Sequence, residues 1–177
     1  DGLPAGLAEL ADGGGSRRHA RQPTGGRFRR GRRAPVPSDP LSTDLSGTWR
    51  AAIADEELRR SYATDGFDDD AWEPVEVPGH WQSTPAFAEA DGPLLYRRAF
   101  EADAPAEDRR SWLVLDGVFY QGDVWLDEGY VGATEGYFFH HTFEVTEALR
   151  ARSEHALALE VICSPQLDRA AKRNLTG

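Results

Sequence analysis

From Leu41 onward the chain alternates between short runs of β-forming residues and turn residues. Thr48-Trp49-Arg50-Ala51-Ala52-Ile53 predicts a strand, and Leu94 to Phe100 a second, entered through Asp91-Gly92-Pro93. Trp112-Leu113-Val114-Leu115 is apolar at every position, the pattern of a central strand covered on both faces, and stops at Asp116-Gly117. Val124-Trp125-Leu126 turns at Asp127-Glu128-Gly129 into Tyr130-Val131-Gly132. In the last run Leu157, Leu159, Val161 and Cys163 share one face, with Glu160 on the other. One short helix is expected from Thr146 to Arg152, with Thr146 as its N-cap. Many short strands and little helix predict an all-β sandwich. Trp49, Trp72, Trp112 and Trp125 are expected to fill its core, and core packing is preferred for Trp81 over an exposed stacking role.

Residues 1–40 break this pattern. They hold Gly13-Gly14-Gly15, the pairs Arg17-Arg18, Arg29-Arg30 and Arg32-Arg33, three late prolines and Phe28 as the only aromatic residue. Such a segment has too little to bury to offset its ordering entropy, and a disordered 1–40 ahead of a folded 41–177 is expected. It carries +4, so the net charge of -10 leaves -14 on the remainder. An acidic folded part repels phosphates, which argues against nucleic acid or an anionic membrane as partner. No apolar run is long enough to span a bilayer, no apolar stretch follows Arg17-Arg18, and the single Cys163 has no internal disulfide partner. A cytoplasmic location is the expectation. The chain has no methionine and stops at Asn174-Leu175-Thr176-Gly177, so it reads as a fragment of a longer protein.

Little in the sequence carries chemistry of its own. His140 and His141 are adjacent, so on a strand they point to opposite faces and do not grip one ion. Asp68-Asp69-Asp70 reads as a solvated turn capping a helical stub. No nucleophile elbow, phosphate loop or zinc-protease motif occurs. No metal or cofactor is predicted, and the many carboxylates read as solvated turns, not as a glycosidase pair.

Three stretches carry a resemblance: Asp44-Leu45-Ser46-Gly47-Thr48-Trp49-Arg50, the run from Gly66 to Gln82 with Asp68-Asp69-Asp70-Ala71-Trp72 and Pro78-Gly79-His80-Trp81, and Tyr96-Arg97-Arg98-Ala99-Phe100 followed by Leu115-Asp116-Gly117-Val118 and Val124-Trp125-Leu126-Asp127. Glu135-Gly136-Tyr137, Phe143-Glu144-Val145-Thr146 and Asn174-Leu175-Thr176-Gly177 complete the series. In this order, over residues 42–177, they resemble the jelly-roll sugar-binding domain that opens family 2 glycoside hydrolases, the β-galactosidases, β-glucuronidases and β-mannosidases.

The resemblance implies a non-catalytic domain whose parent enzyme binds the carbohydrate substrate through a separate (β/α)₈ barrel. Both catalytic glutamates lie in that barrel, the acid/base directly after an asparagine. The one asparagine here, Asn174, precedes Leu175, so no catalytic residue is expected in this chain. The resemblance also implies that the loop of Asp91 and the stretch before the closing turn reach the substrate pocket, which makes Asp91, Asp168, Lys172, Arg173 and Asn174 the candidate contributors. Where the family carries an aspartate, Ala171-Lys172-Arg173 stands here, and Asp168 comes at least three residues earlier. The closing turn is expected to lead into a further strand. A stand-alone carbohydrate-binding module and a non-functional gene fragment remain the alternative readings.

Overall fold

The computed structural model describes residues 42–136 and 138–163. Eight strands dominate: β1 (Gly47–Ile53), β2 (Glu73–Val77), β3 (Leu94–Glu101), β4 (Trp112–Leu115), β5 (Gln121–Leu126), β6 (Gly129–Glu135), β7 (His141–Glu144) and β8 (Glu154–Ile162). Two short helices, α1 (Leu58–Ser61) and α2 (Thr146–Ala151), and two 3₁₀ turns interrupt them. All pairings are antiparallel. Six strands form one sheet in the order β2-β1-β3-β8-β5-β6, and β4 pairs with β7 in a second sheet. The all-β sandwich with little helix is the architecture anticipated.

Alternation along each strand explains the packing. Trp49 and Ala51 on β1, Leu94 on β3, Val124 and Leu126 on β5, and Leu157, Leu159 and Val161 on β8 all turn to one side. There they meet Leu113 of the second sheet and Val145 beyond it. Burying such side chains contributes roughly 1.5–3 kcal/mol each before entropy is counted. Trp81 belongs to this core, as preferred.

The other face of the large sheet has a second apolar layer. Residues 54–72 leave β1 and fold back over it, setting Tyr62 and Trp72 against Leu95 and Ala158, with Trp125 packed alongside. Arg97 reaches out of β3 into this cover. Its guanidinium lies 2.9 Å from Asp69, donates to the Tyr62 carbonyl and sits over the Phe67 ring. Asp69 is thus a counterion within a turn, and Asp68-Asp69-Asp70 caps no helix. Asp65 ties the cover to the hairpin and to the start of β8 through Glu128 and Arg152.

Three further expectations fail. Trp112 is 54% exposed and Val114 52%, because β4 belongs to a two-stranded sheet whose inner face takes only Leu113 and Leu115. Trp125 lies in the outer layer, half-buried, and not in the main core. Thr146 is the first helical residue, with Val145 at the cap position. Its buried hydroxyl accepts the Ser111 N–H at 3.0 Å and donates to Glu144 at 3.1 Å, which joins α2 to the strand entering β4. Residues 1–40, expected to be disordered, lie outside the described residues.

Candidate functional site

Strand directions gather five connections at one end of the sandwich. Ile53 at the end of β1 pairs with Leu94 at the start of β3, and Leu94 pairs with Val161 near the end of β8. Gln121 at the start of β5 faces both Ile162 and Glu135. In the small sheet Leu115 faces His141. Backbone hydrogen bonds join these connections: Ala54 N–H to the Pro93 carbonyl at 2.9 Å, Tyr120 N–H to Ile162 at 3.0 Å and Gly136 N–H to Tyr120 at 2.8 Å.

Asp91 stands on this end, exposed, in the link from the second 3₁₀ turn to β3. The sheet fixes its loop through Pro93, so the carboxylate is presented by a well-anchored turn. The other candidates, Asp168, Lys172, Arg173 and Asn174, lie outside the described residues. They follow in sequence from β8, whose last residue, Ile162, is at this same end. Of the five candidates, Asp91 is thus the one among the described residues.

Sequence reasoning missed the apolar part of this end. Phe138 is 76% exposed and Phe139 66%, and Ile53 is exposed nearby in topology, at the end of β1. Gly136 enters the β6–β7 connection at φ 106°, and a Cβ there would lie 2.8 Å from the Phe139 ring. That backbone path, open to glycine, turns the two phenylalanines out of the sheet. The signal in sequence was the adjacent pair Phe138-Phe139, two positions after Gly136, since two adjacent residues of an extended segment do not face one core together. Polar groups frame the patch: His140 lies 2.9 Å from Asp116, and the Tyr120 hydroxyl donates to Glu135 at 3.0 Å.

Most other carboxylates near strand ends are engaged structurally. Asp127, in the β5–β6 turn, accepts from Ala156 N–H at 2.9 Å and lies 2.7 Å from the buried His155 ring. Among the described residues no three histidine, cysteine or carboxylate side chains cluster as metal ligands. No described helix is long and apolar enough to cross a membrane. An open groove of about 420 Å³ lies at the opposite end, between Tyr130 and Val131 on one side and Val145 to Ala148 on the other, and no candidate residue lines it.

The family profile described as glycosyl hydrolase 2 galactose-binding domain-like matches residues 87–176, just over half of the chain. A β-galactosidase of Arthrobacter sp. (strain B7) is 28% identical over 151 residues, covering 64% of this chain and 15% of that protein. A β-galactosidase of Clostridium acetobutylicum is 26% identical over 147 residues, with 69% and 16% covered. Among solved structures, Lactobacillus rhamnosus β-glucuronidase aligns with a TM-score of 0.60 at 21% identity, over 71% of this chain and 22% of that one. A glycosyl hydrolase family 2 member from Bacteroides cellulosilyticus aligns at 0.58 and 19% identity, over 69% and 18%. These likenesses concern the fold, and the matched part spans 15–16% of the two curated relatives.

Proposed function

Because the chain belongs to the glycosyl hydrolase 2 galactose-binding domain-like family, we propose that it is the non-catalytic, sugar-binding-like domain of a β-glycosidase, hydrolysing O-glycosyl bonds only together with a separate catalytic barrel. The domain spans 41–177 in this reading, and 1–40 lies outside it. The observation that carries it is the end bearing Asp91. An anchored carboxylate there shares one end of the fold with Phe138 and Phe139, whose exposure suits a surface packed against another domain. Asp91, with Asp168, Lys172, Arg173 and Asn174 further along the chain, would then contribute to the edge of a carbohydrate pocket whose reacting carboxylates come from the barrel.

Chemistry agrees with a supporting role. A retaining glycosidase needs an acid/base and a nucleophile about 5 Å apart, and the loop of Asp91 offers only Glu89 beside it, two residues earlier on the same exposed turn. The test is direct. The purified chain is expected to release no nitrophenol from nitrophenyl β-galactoside, β-glucuronide or β-mannoside. Turnover that disappears on changing one carboxylate of this chain to alanine would refute the reading.

A further inference from the structure

We propose that the outer face of the six-stranded sheet carries a binding site for a neutral pyranose, built from Asp123, Glu160, Arg59 and Tyr130. It goes beyond the glycosidase reading, because it lies on the sheet face and not among the loops of Asp91, and it needs no barrel.

Asp123 on β5 and Glu160 on β8 stand directly opposite one another in the antiparallel ladder, so their side chains leave the same face. Like charges so placed repel. One cation answers them: Arg59, reaching from α1, lies 2.6 Å from Glu160, whose side chain is only 13% exposed. The trio keeps one uncompensated negative charge. Among the described residues, one oxygen of each carboxylate accepts a contact and the other has no partner.

Tyr130 supplies the apolar wall. Its hydroxyl donates to Asp123 at 2.9 Å and its ring meets Trp125 edge-on at 5.4 Å, yet 59% of the residue stays exposed. A ring pinned at both ends and left in water is a ready platform for the C–H face of a sugar. Tyr62 gives an independent sign. Its buried hydroxyl has no hydrogen-bond partner. Burial first, then the fields of Glu160 and Asp123, push its ionisation upward, so it stays a neutral donor beside the two carboxylates.

These groups select a ligand class. Ionised carboxylates only accept hydrogen bonds, which suits the hydroxyls of a vicinal diol, and the guanidinium donates to sugar oxygens. The aromatic ring takes the apolar face, as in mixed pockets that orient polar ligands. A uronate would bring a second negative charge to a site already negative and is disfavoured.

The test is a ¹H–¹⁵N chemical-shift titration of the 177-residue chain with methyl β-galactopyranoside into the millimolar range. Saturable shifts are expected at the amides of residues 122–125, 130 and 158–160, with glucuronate binding at least tenfold more weakly. Asp123→Asn and Tyr130→Ala should each weaken the galactoside at least tenfold, and Val114→Thr, on the exposed face of the other sheet, should leave it unchanged. Glu160→Gln, which keeps a hydrogen-bonding oxygen toward Arg59, serves the same purpose should either of the first two variants fail to fold. Absence of saturable shifts at these amides would overturn the proposal, as would glucuronate binding equally well, or full binding in the folded variants. Because the readout is binding, its failure leaves the glycosidase reading untouched, and turnover of a nitrophenyl glycoside by the chain would bear on that reading and not on this site.

Discussion

The six-stranded sheet and the two-stranded sheet both turn apolar side chains away from the shared core, but among the described residues only one outer face is covered. Over the large sheet, residues 54–72 bury Tyr62 and Trp72 against Leu95 and Ala158, and the Arg97–Asp69 pair fastens them. Over the small sheet, Trp112 and Val114 stand exposed among the described residues. The contrast teaches that an apolar residue on a strand reports a covered face only where some other segment supplies the cover. On the large sheet the cover comes from the residues that directly follow β1, so sequence proximity and packing agree.

The comparison breaks most visibly at Trp72. It is nearly buried beneath the Phe67 ring, which meets it at 5.4 Å. Truncating a buried aromatic typically costs about 3–5 kcal/mol, so Trp72→Ala is expected to lower the midpoint of urea unfolding sharply or to prevent soluble expression. A loss below about 1 kcal/mol would show that residues 54–72 contribute little to stability. Next in size is Asp69→Ala, which leaves the buried Arg97 guanidinium with a carbonyl acceptor and no counterion. Breaking a buried ion pair costs about 3–5 kcal/mol, and the partial exposure of Asp69 brings the expectation to about 2–3 kcal/mol. Asp69→Asn, which retains an acceptor, should recover part of it in the same denaturation experiment.

How much of this was legible depends on what each signal measures. Clean alternation in Leu157, Leu159, Val161 and Cys163 marks the core-facing side, and the structure buries all four there, but nothing in that alternation announces that Ala158 on the other face is buried as well. The unbroken run Trp112-Leu113-Val114-Leu115 is ambiguous, because both-face burial and an uncovered apolar face produce the same string. Only the pairing of β4 with β7 decides between them. Asp69 looked like one of three equivalent solvated acids, and nothing local marks it as the partner of Arg97, 28 positions away. At the candidate site Asp91 was reachable through the resemblance alone. The exposure of Phe138 and Phe139 was announced by Gly136 and by their adjacency, a signal read here only once the backbone was visible.

A smaller effect concerns the phenol of the covered face. Burial raises the pKa of the Tyr62 phenol, with Glu160 and Asp123 adding to it and Arg59 opposing it, and burial alone raises that of Tyr96 on the core side. Below about pH 10 both phenols are neutral in the folded and unfolded chain, so neither makes stability depend on pH. Above it the unfolded chain loses protons that the folded chain keeps, and stability falls as pH rises, by about 1.4 kcal/mol per pH unit for each tyrosine. Tyr62→Phe is expected to remove one such contribution, flattening the loss of stability measured between neutral pH and pH 11. At neutral pH it should cost almost nothing, since the deleted hydroxyl has no partner to leave behind. An unchanged alkaline slope would show that the phenol titrates as it does in water.

The smallest effect is expected on the bare face, and it is the sharpest test of the contrast. Trp112 occupies the same kind of position on β4 as Trp125 does on β5, a large ring directed away from the core. Trp125 has Tyr62 and Tyr130 edge-on against it, each at 5.4 Å, whereas Trp112 remains more than half exposed. Exposed substitutions away from caps and ion pairs usually change stability by no more than about 0.5 kcal/mol, and the half of the ring that is covered raises the expected cost of Trp112→Ala to at most about 1 kcal/mol. What should change is association. An exposed apolar patch on a two-stranded sheet whose edge is unpaired among the described residues favours contact with other chains, so Trp112→Ser combined with Val114→Thr is expected to lower the weight-average mass seen in concentrated solution by sedimentation. Threonine keeps the β-branched shape that suits a strand, so the exchange tests the surface and not the strand. A loss of stability matching that of Trp72→Ala would mean that the outer face of β4 is covered after all, and the two sheets would then be finished alike.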